Sequence, residues 1–160
     1  MRDAEFERLY AEHAQGLFGF LTYRTGDRVL AEDLVADTFE RVLRARSRFD
    51  PRRGRQKAWI YAIAMNLLRD SARRSQTEER ALERATVGGG DSLFPHDALD
   101  DRDELRRAME CLSAEERDVV ALRFGGDLPV KEIATAIGES VTTTEGRLYR
   151  ALRKLKSELS

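Results

Sequence analysis

The sequence predicts an all-α protein made of two small helical domains, the second a helix-turn-helix unit, joined by a flexible linker. Three observations carry this. Apolar residues recur at three- and four-residue spacing in every segment between breaks, which is the signature of amphipathic helices. Only three prolines, Pro51, Pro95 and Pro129, interrupt the 160 residues. The helical periodicity also fades in one glycine- and acid-rich stretch near the middle.

The first helix is expected from about Asp3 to Arg24, turning Phe6, Leu9, Tyr10, Leu17, Phe18 and Leu21 inward, with Gly26-Asp27 ending it and starting the next. The second runs from about Arg28 to Arg46. Its apolar stripe is Leu30, Leu34, Phe39, Val42 and Leu43, while Glu32, Asp33, Asp37 and Glu40 lie on another, acidic face. A basic, turn-rich loop follows at Phe49 to Gly54. The third helix, about Gln56 to Arg74, offers Trp59, Ile60, Ile63, Ala64, Leu67 and Leu68 to a core. Residues 1–75 thus form one unit.

From Ser75 to Asp103 the chain reads as a charged, flexible linker, with Gly88-Gly89-Gly90, Pro95 and a run of aspartates. The second unit is 104–160. A helix from about Glu104 to Cys111 precedes the capping-box pattern Ser113-Ala114-Glu115-Glu116, which starts another at about Ala114 and ends near Gly125-Gly126. A short helix then runs from Pro129 to Ile137. Gly138 ends it, and Val141 to Lys156 forms the last helix. Units this small bury only about 60% of their unfolded surface, so each is expected to be marginal alone.

The charge is segregated although the net charge is only minus one. Residues 1–40 hold four Arg and nine acids, 41–74 hold eleven Lys/Arg against Asp50 and Asp70, and 146–157 carry five bases and no acid. Such clusters suit phosphate contact or a solvated helix face. Other chemistries are excluded more firmly. Cys111 is the single cysteine and stands with only His13 and His96, so a zinc site or a thiol–imidazole pair is not expected, and no cofactor is implied. Gly88-Gly89-Gly90 lacks the Lys-Ser/Thr of a phosphate loop. The acidic face of the second helix, without a supporting His, Asn or Lys, suits protein docking better than acid–base catalysis or magnesium. No catalytic residue can be assembled from this inventory. The N-terminus lacks the apolar core of a signal peptide, no apolar run is long enough for a membrane helix, and a cytoplasmic protein is expected.

Two constellations point to nucleic acid. From Val130 to Lys156 the pattern is helix-turn-helix: small Ala134 at the crossing, Gly138 at the turn, and Thr144, Leu148, Ala151 and Leu155 as the buried stripe of the second helix. Thr142, Thr143, Glu145, Gly146, Tyr149 and Arg150 are left facing outward. In a major groove they would meet base edges and phosphates, with Arg147, Arg150, Arg153 and Lys154 neutralising the backbone. An ordinary helical hairpin would show much of the same pattern. The second constellation is Arg52, Arg53, Arg55, Lys57, Trp59, Tyr61, Asn66, Arg69, Arg73 and Arg74 on the third helix and its preceding loop. Cations beside aromatic planes are what a single-strand binder needs, and an amide such as Asn66 can read a base edge. Trp59 is expected in the core, leaving Tyr61 as the exposed stacking candidate.

These pieces resemble the extracytoplasmic-function (ECF) branch of the bacterial sigma-70 superfamily. Phe6-Glu7-Arg8-Leu9-Tyr10 and Ala31 to Phe39 look like the first half of sigma domain two, and Ala58 to Asn66 with Asp70 and Arg73-Arg74 like its promoter-reading half. Leu112 to Arg117, Leu122-Arg123-Phe124, Glu132-Ile133-Ala134 and Arg147 to Leu152 are similar to sigma domain four. The resemblance implies that Glu32, Asp33, Asp37, Glu40 and Arg41 dock on core RNA polymerase. It implies that the third helix and its loop melt and hold the minus-10 promoter element, that the last helix reads the duplex minus-35 element, and that an anti-sigma factor restrains the protein. Ala62 and Met65 stand where basic residues are common in the branch, Glu145 where Lys or Arg is common, and Thr144 where Val is common. The alternatives are a stand-alone helix-turn-helix regulator and a sigma mimic that titrates an inhibitor.

Overall fold

The computed structural model describes residues 3–52, 54–81, 104 and 107–159, and every described element is helical. In chain order these are α1 (Asp3–Thr25), α2 (Arg28–Arg44), a 3-10 turn (Arg46–Arg48), α3 (Gln56–Ala81), α4 (Ala114–Val120), a π-helical turn (Ala121–Gly125), α5 (Val130–Ile137) and α6 (Val141–Leu159). Residues 107–110 add a further helical turn. α3 extends seven residues beyond the Arg74 expected, because nothing from Ser75 to Ala81 obstructs a helix. Of the expected linker, 76–81 continue α3, and 82–103 lie outside the described residues.

α1, α2 and α3 pack in sequence, each on the next. Asp27 caps α2 by accepting from the Leu30 amide at 3.1 Å, which satisfies one of the unpaired donors at the helix start. Leu17, Leu21, Val42 and Ile60 are completely buried, and Phe39 takes the edges of Phe6 and Tyr10 at ring separations of 6.3 and 5.0 Å. Two inward expectations fail: Tyr10 is 49% and Leu43 38% exposed, each at the rim of the apolar stripe, whereas Phe20, Val35 and Thr38 are buried. Thr38 enters the core because its hydroxyl donates to the Leu34 carbonyl at 2.6 Å.

The second unit begins on a complete capping box. The Ser113 hydroxyl accepts from the Glu116 amide at 3.1 Å, and the Glu116 carboxylate accepts from the Ser113 amide at 2.9 Å. The same carboxylate accepts from Lys154 Nζ at 2.8 Å, tying the start of α4 to α6. Burial pushes the Glu116 carboxyl up, but the Lys154 and Ser113 hydrogen bonds and the lysine charge outweigh it and hold the group below its usual value. Ser113→Ala is expected to cost about 1 kcal/mol. Urea unfolding should show a lower midpoint with an unchanged slope.

α5 ends in a Schellman motif. Gly138 has φ of 74°, its amide donates to Thr135 and that of Glu139 to Ala134, a left-handed geometry suited to glycine. Ser140 then caps α6 through the Thr143 amide at 3.1 Å. Thr144, Leu148, Ala151 and Leu155 are the buried residues of α6, the stripe expected from spacing.

The two units do not stand apart. α5 packs on α3, the π-helical turn packs on α1, and a single hydrophobic cluster runs from Leu9 to Leu155. Each unit, marginal alone, thus shares its core with the other. Gly126 shows how tight this is: a Cβ there would lie 2.9 Å from the Leu122 carbonyl oxygen and 3.0 Å from the Tyr61 ring, so only glycine fits.

Candidate nucleic-acid and polymerase interface

α6 lies on α4 and α5 through its buried stripe. That packing turns Thr142, Thr143, Glu145, Tyr149, Arg150 and Arg153 to the exposed side, with Gly146 and Arg147 half-buried. Ser140 Oγ donates to Thr143 Oγ1 at 2.9 Å, fixing that side chain at the start of the helix. The Arg150 guanidinium lies over Gly146, where a Cβ would come within 3.2 Å of Nη1. Arg153 sits 5.8 Å above the Tyr149 ring, and Arg147 is 3.8 Å from Glu139. A helix presenting hydroxyls and a carboxylate at its N-terminal turn and arginines along one flank can offer base-edge contacts and phosphate neutralisation together.

α3 divides the other set of residues between two faces. Arg52, Asn66, Arg73 and Arg74 are exposed, and Arg53 lies outside the described residues. Tyr61 is not the exposed platform expected: it is 2% exposed, edge-on to Phe20 at 5.4 Å and beneath Gly126. Burial pushes its phenol up to about 12. Trp59 is half-buried against Phe49 at 5.1 Å. Two cations are drawn into contacts with the second unit. Arg55 Nε donates to Glu132 Oε1 at 2.7 Å, and Arg69 approaches Asp118 at 3.9 Å. Lys57 lies 5.9 Å from the Tyr61 ring centre. Burial holds the His13 imidazole below its usual value, Lys57 and Arg55 adding to this against the pull of Glu12.

On α2, Glu32, Asp33, Asp37, Glu40 and Arg41 are all exposed, and Arg44 pairs with Glu40 across one turn. This surface faces away from the α2 residues buried against α1 and α3.

Sequence reasoning did not find Arg24, Asp118 and Glu132, which join the two units. Asp118 is buried with its carboxylate 2.8 Å from Arg24 Nε. An acid between Arg117 and the apolar Val119-Val120 was the available signal, but its partner lies 94 residues away. Among the described residues no group of His, Cys, Asp and Glu could hold a metal ion, and no helix is long and apolar enough to cross a membrane.

The fold and these surfaces define a two-domain helical protein with a helix-turn-helix at its C-terminal end, and comparison with known proteins gives its family. Residues 9–78 match Sigma-70 region 2, and residues 102–155 match Sigma-70, region 4. The chain is 32% identical to RNA polymerase sigma factor CarQ of Myxococcus xanthus, over 96% of its own length and 88% of that protein. It is 30% identical to ECF RNA polymerase sigma factor SigX of Bacillus subtilis, over 93% and 82%. The chain belongs to the ECF family of RNA polymerase sigma factors. Among solved structures it is similar to the sigma factor RpoE in complex with the anti-sigma factor NepR from Bartonella quintana, with a TM-score of 0.81, 22% identity, and 97% and 96% of the two chains covered. CnrH in complex with the cytosolic domain of CnrY gives 0.72, 26% identity, 99% and 89%.

Proposed function

We propose that this chain binds core RNA polymerase through the acidic face of α2 and directs promoter-specific initiation from the cytoplasm. α6 reads a minus-35 element as duplex, through Thr142, Thr143, Glu145 and Gly146 at the bases and Arg147, Tyr149, Arg150 and Arg153 along the backbone. α3 and the loop before it, through Arg52, Arg53, Arg55, Lys57, Asn66, Arg69, Arg73 and Arg74, capture the minus-10 element as single strand. Residues 1–75 and 104–160 are the two functional domains, with 76–103 between them. The observation that carries this reading is α6: Thr144, Leu148, Ala151 and Leu155 are buried, while Thr142, Thr143, Glu145, Tyr149, Arg150 and Arg153 are exposed. The relatives solved with anti-sigma factors support a protein inhibitor as a further partner.

Run-off transcription with purified core polymerase and a promoter library tests this. Transcripts that require the protein and share two upstream elements are the expected result. Asn66→Ala, at an exposed site where truncation spares the core, should lower transcript yield about tenfold through loss of a base-edge contact worth roughly 1–3 kcal/mol. Binding to core should be unchanged. Core binding without transcripts would favour the mimic, and duplex binding without core binding the stand-alone regulator.

A further inference from the structure

Gly146 lies inside α6, where a glycine weakens a helix that an alanine would strengthen. Its backbone conformation does not require it, since the glycines of positive φ among the described residues are Gly26, Gly54 and Gly138. Nor does packing on another helix. The three atoms nearest to a Cβ built there all belong to Arg150, with Nη1 at 3.2 Å, Cζ at 3.9 Å and Nη2 at 4.0 Å. At Gly126, by contrast, the Leu122 backbone and the Tyr61 ring fill that space. Side chains of a helix lean toward its N-terminus, so the residue four positions on is the one that comes to lie over a missing Cβ. The neighbouring cations of α6 are held by side chains: Arg147 is 3.8 Å from Glu139, Lys154 is 2.8 Å from Glu116, and Arg153 is 5.8 Å above the Tyr149 ring. Arg150 lies over Gly146 instead.

We propose that Gly146 is a positioning residue for the contact of α6 with duplex DNA. It acts through Arg150: the absent Cβ leaves a place in which the guanidinium rests one turn nearer the start of the helix than its own α-carbon, toward the turn that exposes Thr142 and Thr143. A long side chain loses rotamer freedom when it binds, and one already laid down against the helix loses less. At a cost in helix stability, a cation is set in place before DNA arrives. This rests on the reading of α6 as the duplex-reading helix, and it gives Gly146 an indirect action in place of a base contact of its own.

The test is a double-mutant cycle in the full chain, with Gly146→Ala, Arg150→Ala and the pair, each titrated with a fluorescent randomised duplex pool at several salt concentrations. Thermal unfolding followed by circular dichroism should give Gly146→Ala a midpoint about 2–4 °C above the wild type, because the helix gains the propensity of alanine. Its duplex affinity should nevertheless fall about fivefold, the loss for a side chain that must now be ordered on binding. The slope of log affinity against log salt should stay as in the wild type, since the charge is still present, whereas Arg150→Ala should lower the affinity and flatten the slope by about 0.9. The pair should bind as Arg150→Ala does. A Gly146→Ala loss that persists in full beside Arg150→Ala overturns the proposal and shows that the glycine admits the DNA itself. Gly146→Ala binding as tightly as the wild type overturns it too, since the space over the glycine then serves nothing on binding. If the wild type does not bind the duplex, or Arg150→Ala leaves affinity and slope unchanged, the fault lies in the reading of α6 and the proposal falls with it.

Discussion

Glu145→Lys is expected to raise affinity for duplex minus-35 DNA by about tenfold at moderate salt and to change the preferred base beneath that position. The carboxylate is exposed in the first turns of α6, and Arg150 and Arg153 are exposed further along the same helix. A negative charge beside phosphates is repulsive unless it accepts from a cytosine amino group, a recognised base contact in the major groove. A lysine there removes the repulsion, can add a phosphate contact, and recognises guanine in place of cytosine. Each added phosphate contact steepens the dependence of log affinity on log salt by about 0.9. Titration of a randomised duplex pool at several salt concentrations measures affinity, slope and preference together. Unchanged affinity and preference would show that Glu145 does not face the DNA.

Tyr61→Ala should destabilise the chain by about 3–5 kcal/mol, the range for removing a large ring from a packed interior. An exposed stacking platform would lose less than about 0.5 kcal/mol on the same change. The ring is closed in by Phe20 and Gly126, so its loss opens a cavity at the contact between domains. Urea unfolding followed by the fluorescence of Trp59, the single tryptophan, measures the difference directly. Alkaline pH supplies a second reading of the same burial. Because the folded-state phenol is pushed up to about 12, the stability linked to it is complete below the unfolded value near 10 and is lost as pH rises from there toward 12. The consequence for function is practical: Tyr61→Ala would confound loss of structure with loss of promoter capture, and Asn66→Ala is the clean probe of α3.

Most of the helical architecture was legible because it is written in local patterns. The Ser113 capping box, the Gly138 Schellman turn and the Thr144-Leu148-Ala151-Leu155 stripe each depend on residues a few positions apart, and each stands where spacing placed it. Length was less legible. The end of α3 was set too early because the polar segment after Arg74 resembles a linker in composition, while backbone hydrogen bonding continues to Ala81. Of the candidate site, the outward residues of α6 and the acidic face of α2 could be read from one helix at a time.

Tyr61 and Met65 could not be read that way. A hydrophobic period identifies one buried stripe on a helix, and on α3 that stripe was satisfied by Ile60, Ala64 and Leu67. A second covering on another face comes from residues distant in the chain, through Gly126, α5 and the Asp118 and Glu132 ion pairs. The sequence by itself determined which segments are helical, how they are capped, and which face of α6 is outward, since those follow from interactions within a few residues. Only the tertiary structure decided that the two domains share one core and that Tyr61, Arg55 and Arg69 meet the second domain, because those contacts depend on surfaces brought together from distant parts of the chain.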